Sequence, residues 1–259
     1  MYRRTFVAIV VPTLSGSDWS HIGDASLATH LLPSLHLSLS QADRWMFSIQ
    51  VFVVFDAGDV FWEQGRNMKA LRATTTLAVH FVRVKKSTRI PHNEGCRVAY
   101  EMGADYIVRI NDDTEFVSNG WLIPAVRALN SFTPKRFGVV GPTCEQGNNE
   151  ILTHDMVHRT HLDIFHDYYP PEFDNWWLDD WISHVYGDSH TRRLSDWVVL
   201  HNVHTYGTRY EARLDQKDML PTILLRSQRE LIDFLTLNRR QSMRASVLSS
   251  GNVTLLSVS

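Results

Sequence analysis

Short apolar runs alternate with helical stretches from the start of the chain to about residue 145, and this alternation limits the fold more than any other feature. Runs 6–11, 49–55, 79–84 and 106–110 are too short for helices, rich in β-branched residues and closed by polar or glycine-containing stops. Between them, residues 27–39 read as a helix interrupted near Pro33. Residues 93–103 read as a helix with Val98 and Met102 on one side and Gly103 as its stop. Residues 121–129 form a further predicted helix, and a fifth strand begins at 138–141. Apolar runs separated by helices predict an α/β fold, a mostly parallel central sheet with helices on both faces. In open sheets of this kind, ligands bind at the carboxyl ends of the strands.

One strand end carries chemistry. The run at 106–110 stops on Asn111-Asp112-Asp113-Thr114. Adjacent carboxylates repel unless something cationic shares the site. A divalent metal carrying a phosphate group suits them, because hard cations prefer oxygen ligands. The competing reading is a solvated turn, since Asn-Asp is common turn chemistry. Asp56 ends another run, in Phe55-Asp56-Ala57-Gly58-Asp59. A carboxylate there can accept from a base or a ribose, and Gly58 lets a ligand approach the backbone.

The second half changes character. Residues 167–181 are dense in Tyr, Trp, Pro and Asp, and Asp179 and Asp180 lie between Trp177 and Trp181. Partial desolvation raises a carboxylate's pKa toward the range of a general base. Aromatic faces also stack on the C–H patches of sugar rings. The alternative is a helix start, with Asp179 as its N-terminal charge. Thirteen histidines are many, and eight fall between His154 and His204. His201 and His204 follow a predicted strand at 196–200, and an imidazole beside the 111–113 acids would suit Mn2+ or a related ion. His154, His158 and His161 would share one face if that segment were helical, but no His-Glu-x-x-His pattern supports zinc. A helix is expected at 228–238 with Leu231, Phe234 and Leu235 on one face. Beyond Arg240 the chain is Ser-rich, and 241–259 read as a mobile tail.

Composition removes other classes. A net charge of −2 gives a nucleic-acid partner no electrostatic support. Two cysteines, Cys96 and Cys144, make no disulfide framework and read as buried thiols. No apolar run approaches the roughly 20 residues that span a bilayer. Both a cytoplasmic protein and a soluble catalytic domain of a longer chain fit these features.

From about Phe6 to Tyr210 the motifs together resemble nucleotide-sugar glycosyltransferases of the glycosyltransferase A fold, of the inverting, family 2-like kind. Ile9-Val10-Val11-Pro12-Thr13 resembles the opening strand, and Val54-Phe55-Asp56-Ala57-Gly58-Asp59 the strand whose acid holds the nucleotide base. His92-Asn93-Glu94-Gly95 resembles a helix start that usually carries Arg where His92 stands. Asn111-Asp112-Asp113 resembles the Asp-x-Asp motif with Asn first, and Asp179-Asp180 the later acidic pair, followed by Trp181. Asn111–Phe116, His158–His161 and Asn175–Trp181 are also similar to a smaller viral and protist group of sugar transferases.

The resemblance implies a Rossmann-like fold and one catalytic domain over 1–240, with a nucleotide-sugar half at 1–145 and an acceptor half at 146–240. It implies a nucleotide-sugar donor, a UDP-sugar first, and a glycan acceptor. Donor contacts fall on Pro12, Thr13, Asp56, Asn93, Asn111 and Asp112. Metal, Mn2+ before Mg2+, falls on Asp113 with His204 or His201. Acceptor contacts fall on Trp176, Trp177 and Asp179, and the base on Asp180. Two other readings stand beside it. Asn111 in place of an acid favours a sugar-binding module without activity. A nucleotidyltransferase would need a Gly-rich loop, whereas residues 13–17 hold one glycine.

Overall fold

The computed structural model describes residues 3–87, 89–202 and 212–250, with side chains through residue 238. Eight strands build one sheet: β1 (Thr5–Pro12), β2 (Phe47–Asp56), β3 (Ala78–Val84), β4 (Tyr106–Arg109), β5 (Thr114–Phe116), β6 (Val139–Glu145), β7 (Asp155–His158) and β8 (Thr191–His201). Their order is β3-β2-β1-β4-β7-β6-β8-β5. The helices are α1 (Leu32–Ser38), α2 (Gln41–Met46), α3 (Gly65–Ala73), α4 (His92–Glu101), α5 (Leu122–Ser131), α6 (Thr160–Phe165), α7 (Leu178–Val185) and α8 (Leu220–Ser250). The mixed α/β architecture expected from the alternating runs is the one observed.

Period-two alternation explains why the strands are apolar throughout. Along β1, Val7, Ile9 and Val11 enter one core with α1 and α5. Phe6, Ala8 and Val10 enter a second core with α4, α6, α7 and α8. Each such Val, Ile or Phe side chain contributes about 1.5–3 kcal/mol by leaving water, so both faces stay covered. On the second face α4 lies close to the sheet. A Cβ at Gly95 would stand 2.3 Å from a Val54 methyl and 2.8 Å from a Val10 methyl.

The register brings the polar strand ends together. β1, β2, β3 and β4 are mutually parallel, and Val10 pairs with Arg109. Pro12–Thr13 and Asn111–Asp112 therefore leave the sheet side by side. β7 runs antiparallel to β4, and β5 runs antiparallel to β8 with Thr114 opposite His201. That last pairing carries His201 back to the acidic stop.

Several expectations change. The interruption near Pro33 is a π-helical turn, Leu27–Leu31, running into α1, with Pro33 in the first turn where no backbone donor is required. Residues 154–161 are not one helix. His154 precedes β7, His158 ends it and His161 lies on α6, so the three histidines share no face. The expected strand at 196–200 is the second half of β8, and the helix at 228–238 lies inside α8. Helix continues through Ser250, into the Ser-rich stretch read as a tail. Leu220, Ile223, Leu224, Leu231, Phe234 and Leu235 anchor the helix on the body before that stretch begins. Cys96 and Cys144 are buried free thiols. Among the described residues no helix is long and apolar enough to cross a membrane.

Candidate active site

Where β4 ends, a carboxylate pair lies on the sheet edge. Asp112 is 3% and Asp113 5% exposed. The Thr13 hydroxyl, at the end of β1, donates to Asp112 Oδ2 at 2.6 Å. His201 Nε2 stands 3.1 Å from Asp113 Oδ1 and 3.2 Å from Asn111 Nδ2. The approach to Asp113 is not aligned as a hydrogen bond, and Asp113 Oδ1 is buried with none. An orphaned carboxylate oxygen beside an imidazole nitrogen suits Mn2+ or a related ion. Among the described residues no group of three His, Cys, Asp or Glu donors gathers. Asp113 and His201 thus fit a metal that draws its remaining ligands from phosphate and water, as Mg2+-type ions commonly do. His204 lies outside the described residues.

A second acidic pair opens α7. Trp177 precedes it in a left-handed conformation, φ 68°, which a bulky residue adopts only when its surroundings impose it. Asp179 Oδ1 accepts from Arg109 Nη2 at 2.6 Å. Burial pushes the Asp179 carboxyl up to about 6, against the pull of Arg109 and with help from Asp155 and Asp180. The Asp180 carboxylate has no side-chain hydrogen bond or ion pair among the described residues and faces the cavity, so it is available to a ligand.

The two pairs face one cavity of about 600 Å³. Pro12, Thr13, Asn111, Asp112, Asp113, Trp176, Trp177, Asp179, Asp180 and His201, all singled out in the sequence, line it. Asp56 lines a neighbouring pocket of about 370 Å³ with Lys86, and Leu14 borders both pockets. Burial and Glu94 raise the Asp56 carboxyl, and its Oδ1 is buried without a hydrogen bond. Asn93 does not line either pocket. Its amide accepts from the Tyr169 N–H and donates to the Tyr169 carbonyl, both at 2.8 Å, which clamps α4 to the 168–169 segment.

Sequence reasoning passed over Arg109 and Asp155. Arg109 is 2% exposed and joins Asp155 and Asp179. One signal pointed to it, a lone charge inside the apolar run 106–110. His92 also lines the cavity. Its ring meets Tyr169 edge-on at 5.5 Å, and burial holds the imidazole well below its usual range, so it is neutral.

No family model matches the sequence, and no curated protein matches it. Solved structures match in fold. Mannosyltransferase PcManGT from Pyrobaculum calidifontis, in complex with GDP-Man and Mn2+, is 15% identical with a TM-score of 0.56, over 97% of this chain and 77% of that one. GalNAc-T7 with UDP, GalNAc and Mn2+ is 10% identical with a TM-score of 0.52, over 76% of this chain and 44% of that one. S. aureus TarS 1-349 in complex with UDP is 14% identical with a TM-score of 0.46, over 76% of this chain, which spans 60% of that one. At such identities the likeness to the first two establishes the fold alone, of the glycosyltransferase A type. Function has to be argued from the site.

Proposed function

We propose that the protein is a metal-dependent inverting glycosyltransferase that moves a sugar from a nucleotide-sugar, a UDP-sugar first, to a hydroxyl of a glycan. The observation that carries this reading is the meeting of two carboxylate pairs, one from a strand end and one from a helix start, on a single cavity with tryptophans in its wall. The adjoining Asp56 pocket gives the base of a nucleotide an acceptor for its N–H.

In this reading Asp113 and His201 hold the metal, with His204 as a further candidate ligand, and Mg2+ is the alternative to Mn2+. A bound divalent ion supplies charge stabilisation to a departing diphosphate. Asn111 and Asp112 hold the ribose or an ordered water, with Thr13 fixing Asp112. Trp176, Trp177 and Asp179 receive the acceptor. Asp180 takes the proton from the acceptor hydroxyl as its oxygen bonds to the anomeric carbon. The bond from that carbon to the diphosphate breaks, and the nucleoside diphosphate leaves with the electron pair. Attack opposite the leaving group inverts the anomeric configuration.

A screen of UDP- and GDP-sugars against methyl glycosides, with Mn2+ and with a chelator, tests the proposal. NMR of the product reads its anomeric configuration. The reading expects metal-dependent transfer with inversion; retention, or transfer that ignores the chelator, would sink it. The sugar-binding alternative draws on Asn111, whose amide is engaged by His201 and Arg109 and supplies no charge. UDP binding without turnover of any donor would favour it.

A further inference from the structure

We infer that Arg109 is a positioning residue that fixes the spacing between the donor acids on β4 and the acceptor acids on α7, an inference that rests on the transferase reading above. Arg109 is the only charged residue in the apolar run 106–110, and it ends β4 three residues before Asp112 and four before Asp113. A buried guanidinium must have its N–H donors met, because nothing else offsets its desolvation.

Every arm of Arg109 has a partner. Nε donates to the Tyr169 hydroxyl oxygen at 2.6 Å and to Asp155 Oδ2 at 3.2 Å. Nη1 donates to the Thr153 carbonyl at 2.7 Å and reaches Asn111 Oδ1 at 3.4 Å. Nη2 is shared between Asp155 Oδ2 at 3.0 Å and Asp179 Oδ1 at 2.6 Å.

The arrangement is asymmetric. Asp155 is the cross-strand partner of Arg109 in the β4–β7 pair and is fully buried. It also accepts from the hydroxyls of Tyr168 and Tyr169. The sheet side of the network is therefore complete without α7, and it fixes the plane of the guanidinium. Asp179 is different. Its side chain is 36% exposed and stands on another element. Arg109 holds one oxygen of Asp179. The other has no hydrogen bond among the described residues and remains for a ligand in the cavity. Fixing Asp179 also fixes Asp180, the next residue on the same turn, behind the strained Trp177. One side chain thereby ties the helix carrying the base to the strand carrying the leaving-group site. A misplacement near 1 Å between reacting groups costs on the order of 100-fold in rate.

The test uses two variants. Arg109→Lys keeps the charge and loses the planar fork. Tyr169→Phe keeps the ion pairs and removes one brace on Nε. The readout is the ratio of sugar transfer to donor hydrolysis by water, with the UDP-sugar and methyl glycoside that give the fastest wild-type transfer. That ratio does not depend on how much enzyme is folded. It is expected to fall roughly 10–100-fold in Arg109→Lys and by less in Tyr169→Phe, with donor KM unchanged. An unchanged ratio in both variants overturns the inference, and Tyr169→Phe decides alone if Arg109→Lys does not fold. If the wild type transfers no sugar, the transferase reading fails separately. Hydrogen exchange over residues 178–183 then decides: lost protection in either variant, with β1 still protected, supports the tie, and unchanged protection overturns it.

Discussion

The chain holds two Asp-Asp pairs on one cavity, and their neighbours give them different chemistry. Asp112 and Asp113 leave a strand in the middle of the sheet, nearly sealed from solvent, beside a threonine hydroxyl and an imidazole. Asp179 and Asp180 start a short helix and are half-exposed, with Arg109 behind one of them and tryptophans around both. A rigid, buried pair with an orphaned oxygen suits a cation. A half-exposed pair in an aromatic wall, one member raised and the other unengaged, suits proton transfer and acceptor recognition. On the proposed reading, identical residues take separate roles because their burial and partners differ.

The largest expected effect separates the pairs at once. Asp180→Asn should lower kcat for transfer by about 10²–10⁴-fold, the usual contribution of a general base, in steady-state assays. Full activity in that variant would move the base elsewhere. Arg109→Met attacks the link between the pairs. It leaves Asp155 as an uncompensated buried charge, which typically costs about 3–5 kcal/mol, so the denaturation midpoint should drop sharply. Little change would mean that the buried network contributes less than its geometry implies.

Gly95→Ala leaves both pairs untouched and serves as a contrast. Its added methyl meets Val54 and Val10, so overpacking should cost about 1–3 kcal/mol, with activity per folded molecule retained. A loss of activity without a loss of melting temperature would show that the α4 contact shapes the site directly.

The smallest effect concerns Asp179 alone. Its carboxyl sits at about 6 in the folded protein against an ordinary 3.8. The folded state therefore holds this proton more tightly than the unfolded chain. The associated stability is complete below the ordinary value and is lost as pH rises through about 6. Asp179→Asn has no such proton, so wild type should weaken relative to the variant between these pH values when melting is followed. The side chain is partly exposed, so solvent screening keeps the difference small. Parallel melting curves would remove Asp179 from the titrating set.

Much of this was legible in the sequence, for reasons particular residues make plain. The strands of the first half show as β-branched runs because both sheet faces are covered, and their polar stops mark the cavity edge. Ten of the residues expected at a site meet there, since strand ends and the Asp179-Asp180 motif carry their chemistry locally. Residues whose role depends on distant partners were not legible. Arg109 looks like an interruption until β7 brings Asp155 opposite it. The clamp at Asn93 is invisible until the fold brings Tyr169 to its amide. The histidines at 154–161 suggested a helical face because spacing alone cannot distinguish that from a strand followed by a short helix.

The division of labour between the two pairs is tested most directly by calorimetric titration of UDP, with and without Mn2+, into wild type, Asp113→Asn and Asp180→Asn. The account predicts that Asp180→Asn binds UDP as wild type does, while Asp113→Asn loses the Mn2+-dependent part of the affinity. Equal losses in both variants, or an undiminished Mn2+ effect in Asp113→Asn, would contradict it.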